Sequence, residues 1–338
     1  MSLFSFLRER WFRRQLAKGV SRLLDTPVEQ AMTDFVVTIS PEKSVTEAAS
    51  IMIGEDVSTL VVEREGRPIG VLTEHDFITK VPFSVRAFKL RVKDVMSCAT
   101  KKSVCAVEAV HPGATLSQAA ELMRREKIRK LIVTRPDGLL AGIITQTDLS
   151  RKIYEELVVA ARLSSTPFTV KEVMTSPVVT IDEGAGFPAA KRLMAVKNVH
   201  AIPVKRGREY VGILTEYDVV AQFFDAGGRL ETNSLRQLVK SPIKTIPGSI
   251  SIFDANTIML FEGVRRLLVV ADGRVAGIVT QTDLVHAAFQ YAVKAREELR
   301  AGFPLSLDDF IPCRRKGVIA SRYESEHLRL YFMRESSS

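Results

Sequence analysis

The sequence predicts an α+β protein of four β-α-β-β-α repeats arranged as two paired modules, with a basic helix ahead of them and a short β-rich extension behind. Three observations carry this reading. A short motif recurs four times, as Gly70-Val71-Leu72-Thr73-Glu74-His75-Asp76, Gly142-Ile143-Ile144-Thr145-Gln146-Thr147-Asp148, Gly212-Ile213-Leu214-Thr215-Glu216-Tyr217-Asp218 and Gly277-Ile278-Val279-Thr280-Gln281-Thr282-Asp283. The spacing holds: Met32 to Ala48, Met174 to Ala190 and Val239 to Ala255 are each 16 residues, and from those alanines to the motif glycine is 22 each time. Finally, each copy has one order of elements. Repeats of this length mark an array of supersecondary units, none of which buries its apolar face alone.

The elements follow in order. Residues 1–27 predict a basic helix in which Phe4, Leu7 and Trp11 form one apolar face and Phe12, Leu16, Val20 and Leu23 another, with Arg8, Arg10, Arg13, Arg14, Lys18 and Arg22 between. Two displaced faces fit packing on a protein better than a flat anionic bilayer. The first pair occupies 28–153, as repeats 28–81 and 92–153; a helical linker follows at 154–169; the second pair occupies 170–290, as repeats 170–224 and 235–289. Each repeat begins with a β-rich run such as Val36-Val37-Thr38-Ile39. An amphipathic helix comes next, as in Leu116, Ala119, Ala120, Leu122 and Met123. Two apolar strands around a tight turn complete the sheet, Asp272-Gly273 being the strongest hairpin signal. The second repeat departs, with extra residues in Cys98 to Gly113 and at Pro136-Asp137-Gly138. Residues 291–338 continue a charged helix to Arg300 and then suggest a small hairpin from Gly317–Arg322 and Leu328–Met333.

Composition bounds the function. The chain has 338 residues, 46% of them hydrophobic, enough for a sizeable core. No run approaches the ~20 apolar residues of a membrane helix, and Met1–Trp11 does not resemble a secretory signal, so a cytoplasmic protein is expected. Cys98, Cys105 and Cys313 suggest neither a disulfide framework nor a zinc site. The five histidines show no metal-ligand spacing, so no metal is expected. The net charge of +9 favours polyanionic partners: nucleotides, nucleic acid or anionic lipid.

The order Val-x-x-Val-Met-Thr, a Val-Val-Thr-Ile run, an alanine-containing helix and Gly-h-h-Thr-x-x-Asp (h being apolar) resembles the cystathionine-β-synthase (CBS) domain, in four copies over about Val28 to Phe289. The resemblance implies paired domains like those of the γ subunit of AMP-activated protein kinase. It also implies clefts between partners that take adenosine ligands: AMP, ADP or ATP first, then NAD or S-adenosylmethionine. None would be a tightly bound cofactor. Paired repeats of this family also form homodimers.

By that resemblance Thr73, Asp76, Thr145, Asp148, Thr215, Asp218, Thr280 and Asp283 are the ribose and phosphate contacts. A carboxylate at a helix start can accept hydrogen bonds from ribose hydroxyls, and helix-start amides suit phosphate. The same Thr-x-x-Asp is also nearly a capping box, which needs no ligand. Arg129, Lys130, His200, Arg265 and Arg266 stand before the hairpin, where the family faces phosphates; the first repeat has Ser58-Thr59 there. Thr38, Thr180 and Thr245 are implied at the adenine and ribose end. The constellation is fullest in the fourth repeat, which places the better-formed site between repeats three and four.

No Gly-x-Ser-x-Gly elbow or Gly-x-x-x-x-Gly-Lys loop is present, and Ala226-Gly227-Gly228 reads as a turn, so no enzyme is expected. The leading expectation is a regulatory protein whose occupancy by an adenine nucleotide modulates an unidentified partner protein. The alternatives are a nucleic-acid-associated protein using Arg8–Arg22 and Arg314–Arg322, and a structural scaffold whose motifs only cap helices.

Overall fold

A computed structural model describes residues 3–82, 84–98, 108–160, 168–225, 234–239 and 243–301. The expected hairpin of 317–333, the arginines of 314–322, the Ala226-Gly227-Gly228 turn and the Ser164–Pro167 end of the linker lie outside them. Helix α1 (Leu3–Asp25) comes first. Repeat one holds β1 (Thr38–Ile39), α2 (Val45–Gly54), β2 (Thr59–Arg64), β3 (Arg67–Thr73) and α3 (Glu74–Thr79). Repeat two opens with α4 (Val92–Val95) and continues through β4 (Ala109–Val110), α5 (Leu116–Glu126), β5 (Lys130–Thr134), β6 (Leu140–Thr145) and α6 (Gln146–Ile153), which runs on as a π-helical segment Tyr154–Ala160. Repeat three comprises α7 (Val170–Val173), β7 (Ile181–Asp182), α8 (Phe187–Lys197), β8 (Ala201–Arg206), β9 (Glu209–Thr215) and α9 (Glu216–Asp225). Repeat four comprises α10 (Leu235–Leu238), β10 (Thr245–Pro247), α11 (Ile252–Phe261), β11 (Arg266–Ala271), β12 (Arg274–Thr280) and α12 (Gln281–Ala301).

Each repeat makes a three-stranded sheet whose first strand runs parallel to the second and whose second pairs antiparallel with the third. The parallel step needs a crossover, and the amphipathic helix between the strands supplies it. The antiparallel step needs only a tight turn. Asp272 and Gly273 both take positive φ, as do Glu65 and Gly66, the conformation a two-residue hairpin matched to strand twist requires.

The repeats are tied together by exchanging their opening segments. Thr33, from the start of repeat one, bonds both ways with Ile143 of repeat two at 2.9 Å; Ser97, from the start of repeat two, does the same with Val71 of repeat one at 2.8 and 3.0 Å. Repeat three gives Thr175 to Ile278 of repeat four in the same manner. The opening methionine therefore lands on the motif glycine of its neighbour. A Cβ on Gly142 would stand 2.7 Å from Met32 Sδ and 2.8 Å from the Thr33 carbonyl oxygen; Gly70 meets Met96 Sδ at 2.8 Å, and Gly277 meets Met174 Sδ at 2.5 Å. The glycine of the motif is thus a close-approach glycine.

Helices close the ring. One core joins repeats one and three, with Phe77 edge-on to Phe223 at 5.5 Å. The other joins repeats two and four, including a buried Ser150–Asn256 pair at 2.5 Å. Helix α1 belongs to the second core: Leu16, Val20, Leu23 and Leu24 are buried there, and Asp25 is paired with Arg296 of α12 at 2.7 Å. Around the ring the order is one, two, four, three. Among the described residues no helix is long and apolar enough to cross a membrane. Against expectation, Cys98 is disulfide-bonded.

Substituting Gly142→Ala is expected to destabilise the protein by about 1–3 kcal/mol in urea unfolding, because the Thr33 backbone cannot yield as a side chain can. Gly54→Ala, at the end of α2 with no heavy atom within 4 Å of the new methyl, is expected to leave stability unchanged or raise it.

Candidate functional site

Strand register builds the site. In each hairpin the motif threonine lies directly opposite the residue that starts the preceding strand: Thr59 with Thr73, Lys130 with Thr145, Ala201 with Thr215, Arg266 with Thr280. The next residue then donates its backbone N–H to the carbonyl just before that strand residue. These bonds are Glu74 to Ser58 (3.3 Å), Gln146 to Arg129 (3.0 Å), Glu216 to His200 (3.3 Å) and Gln281 to Arg265 (2.9 Å). Each repeat therefore delivers one corner of three side chains to the middle of the ring. The corners alternate: repeats two and four bring two cations and a glutamine, while repeats one and three bring a glutamate beside Ser58-Thr59 or His200-Ala201.

The corners touch across the ring. Lys130 Nζ donates to Ser58 Oγ at 2.7 Å and also to Thr59 Oγ1. Arg129 Nη2 reaches Glu216 Oε2 at 3.3 Å, and Thr147 Oγ1 donates to Gln281 Oε1 at 3.0 Å. A cavity of about 490 Å³ opens here, lined by apolar Val36, Val37, Val57 and Ile143, by Thr145 and Asp148, and by Arg129, Lys130 and Arg266. It also takes in His200, Arg265 and Thr280. A second cavity of about 470 Å³ holds Thr215 and Asp218 and shares Arg129, His200, Arg265 and Arg266 with the first. Thr73, Asp76, Asp283, Thr38, Thr180 and Thr245 line neither. Of the constellation expected around Thr280 and Asp283, Thr280, Arg265 and Arg266 line the larger cavity and Asp283 does not. That cavity adds Thr145 and Asp148 to the apolar start of repeat one, since the exchanged opening segment puts Val36 and Val37 against repeat two.

The Thr-x-x-Asp motif caps a helix in all four repeats. The threonine N–H donates to the aspartate Oδ2 at 2.7–2.8 Å and the hydroxyl to the same oxygen at 2.6–2.7 Å. Only Oδ2 is used, so the fate of Oδ1 separates the repeats. In Asp76 it accepts from Ser97 Oγ of repeat two at 2.7 Å and from Lys80 Nζ at 2.8 Å, so both oxygens are used. In Asp148 it has Arg151 at 3.7 Å, an outer and mostly exposed partner.

Electrostatics concentrate at the centre. Burial alone would raise the pKa of Glu216, but hydrogen bonds from His200 and His75 and the charge of Arg129 outweigh it and hold the carboxyl low. Burial raises Glu74 against the pull of Lys130. Burial, with Arg129 alongside, pushes Lys130 down to about 7 and Arg266 down to about 10. Gln146, 4% exposed, has neither its amide nitrogen nor its amide oxygen hydrogen-bonded among the described residues, although it lines the larger cavity.

His75, His200 and Glu216 bring ligand atoms within 4.8 Å of one another. Both imidazole Nδ1 atoms already bond Glu216 Oε1, at 2.6 and 2.8 Å. With Arg129 on the other oxygen and three further cations nearby, the chemistry of this donor set favours a hydrogen-bonded clamp over a divalent ion. Sequence reasoning did not find His75, Glu74, Gln146 or Glu216. The signal was present in the residue after each motif threonine, which reads Glu, Gln, Glu, Gln.

Comparison with known proteins places this geometry. The CBS domain family model matches residues 28–82, 92–155, 170–225 and 235–289. Protein MJ1225 of Methanocaldococcus jannaschii is 29% identical over 207 residues, 56% of this chain and 70% of that protein. Its crystal structure, put forward as that of an archaeal homologue of the γ subunit of AMP-activated protein kinase, superposes with a TM-score of 0.67 at 17% identity, covering 78% of this chain and 99% of that one. An inosine-5'-monophosphate dehydrogenase from the same organism is 32% identical over 125 residues, which is 37% of this chain but 23% of the enzyme. With four matched segments in the ring order and exchanged openings described above, the chain belongs to the CBS domain family.

Proposed function

We propose that this chain binds an adenine nucleotide at the ring centre and that occupancy modulates a partner protein. The observation that carries the reading is the larger cavity itself. Its lining combines apolar Val36, Val37 and Val57, a helix start at Thr145 where Asp148 Oδ1 stays outside the cap with only Arg151 at 3.7 Å beside it, a cluster of partly buried cations, and the Gln146 amide, which has no hydrogen-bond partner among the described residues. In this reading the base occupies the slot at Val36, Val37 and Val57. Asp148 Oδ1 accepts from the ribose hydroxyls, and Thr145, Gln146, Arg129 and Lys130 meet the phosphate. Guanidinium forks suit phosphate oxygens, and a helix start favours negative charge. Binding draws together groups from different repeats, so a ligand with unequal affinity for two arrangements of the ring shifts their populations. Likeness to the dehydrogenase is confined to the repeats and brings no catalytic domain with it.

Titration of AMP, ATP, NAD and S-adenosylmethionine against melting temperature tests the reading; a ligand at 100 times its Kd stabilises by about 2.7 kcal/mol. No shift with any of them at millimolar concentration would overturn it. The Asp148→Asn variant is expected to weaken binding by about tenfold or more while losing at most roughly 1 kcal/mol of stability from the altered cap.

Lys130 sets a pH dependence. Its depressed pKa of about 7 means that the unliganded site loses a positive charge as pH rises from 6 to 8, so its help to phosphate binding fades over that range. Measured against Lys130→Arg, which stays charged, the native protein is expected to lose affinity for ATP progressively toward pH 8. Parallel profiles would exclude the contact.

A further inference from the structure

The central cluster contains its own counter-charges. Arg129, Lys130, Arg265 and Arg266 come from repeats two and four, Lys130 and Arg266 opposite the motif threonine and Arg129 and Arg265 just before them, and Glu74 and Glu216 follow the motif threonine of repeats one and three. Four basic residues face two carboxylates; with Lys130 pushed down to about 7 and so only partly protonated at neutral pH, the excess there lies between about one and two positive charges. The two glutamates differ in how they are held. Glu216 is 2% exposed and fixed by both imidazoles and by Arg129. Glu74 lines both cavities, and among the described residues no hydrogen bond to its side chain is formed; only its backbone N–H is used, on Ser58. It stands in the cluster as a charge, not as a structural bond.

We infer that Glu74 and Glu216 determine how many phosphates the site accepts, favouring a nucleoside monophosphate over an uncomplexed triphosphate. The inference rests on the nucleotide reading above and adds its specificity. A phosphate monoester carries roughly −1.5 to −2 at neutral pH, which matches the excess left by the two carboxylates. A longer phosphate chain brings roughly two more negative charges, and these meet Glu74, which lines both cavities, and Glu216, which lines the second, rather than further cations. In a partly buried site such like-charge contact is weakly screened. Repeats two and four carry neutral Gln146 and Gln281 at the same position, so the glutamates are not demanded by the fold of the hairpin.

The test is calorimetric titration of the full chain with AMP, ADP and ATP in magnesium-free buffer, for the native protein, Glu74→Gln and Glu216→Gln. Glu74→Gln is isosteric and breaks no side-chain hydrogen bond, so it reads charge alone. The native protein is expected to bind AMP more tightly than ATP. Glu74→Gln is expected to raise the ATP-to-AMP affinity ratio by about tenfold, a modest effect for one unit charge removed beside a bound anion. Glu216→Gln is expected to move the ratio the same way, with some loss of melting temperature from the histidine clamp. An unchanged ratio in Glu74→Gln overturns the inference while leaving nucleotide binding intact. Titrations with inorganic phosphate and tripolyphosphate separate the two claims. If no nucleotide binds but Glu74→Gln still gains selectively for tripolyphosphate, the nucleotide reading falls and the counter-charge role stands. If neither nucleotides nor tripolyphosphate respond, both fall.

Discussion

The contact between an opening methionine and a motif glycine is what the rest of the structure hangs on. Each hairpin leaves one strand edge uncovered, and an unpaired edge is a liability that must be satisfied. Here the edge is capped by a two-way backbone pair from the neighbouring repeat, Thr33 on Ile143 and Ser97 on Val71, with the methionine pressed against Gly142 or Gly70. Any side chain on those glycines would hold the segments apart. Because the exchange is reciprocal, two repeats become one module, and the segment that follows the methionine is carried over the partner's Thr-x-x-Asp. The cleft follows from the edge pairing: Val36 and Val37 reach Thr145 only because Thr33 is bonded to Ile143.

Capping and ligand binding need not compete at the motif, since they use different atoms. The cap consumes Oδ2 of the aspartate in every repeat, satisfying helix-start donors that would otherwise be orphaned. A carboxylate has a second oxygen, and its surroundings decide what a repeat can do. Ser97 of repeat two and Lys80 of repeat one take it in Asp76, so that oxygen is already occupied. Lys130 compensates at the same corner, reaching across to Ser58 and Thr59 from repeat two. Repeat one thus contributes its slot to the larger cavity and its glutamate to the centre, without a free motif carboxylate of its own.

The centre is an electrostatic compromise of a kind that single repeats cannot hold. Partly buried cations repel one another, and burial and the charge of Arg129 lower the affinity of Lys130 and Arg266 for their protons. Glu216 gathers two imidazoles and a guanidinium from three different repeats and stays ionised despite its burial. Such networks favour one arrangement of parts only when their members are satisfied together. Gln146, left without a partner, marks where the network is open.

The sequence by itself determined the repeat. Spacing located four copies, period-two and period-3.6 patterning set the β-α-β-β-α order, and Asp272-Gly273 gave its turn type, because these depend on residues close together in the chain. It also supplied Thr145, Asp148, Arg129 and Lys130, which strand register within one hairpin brings side by side. Only the tertiary structure decided which repeat completes which cleft. Met32 and Gly142 are far apart in sequence, and no local pattern says that the first belongs on the second. The same holds for His75 with Glu216 and for Glu74 among cations from other repeats. The motif threonines and aspartates are alike in every copy, so their neighbours across the ring, not their own identities, make them unequal.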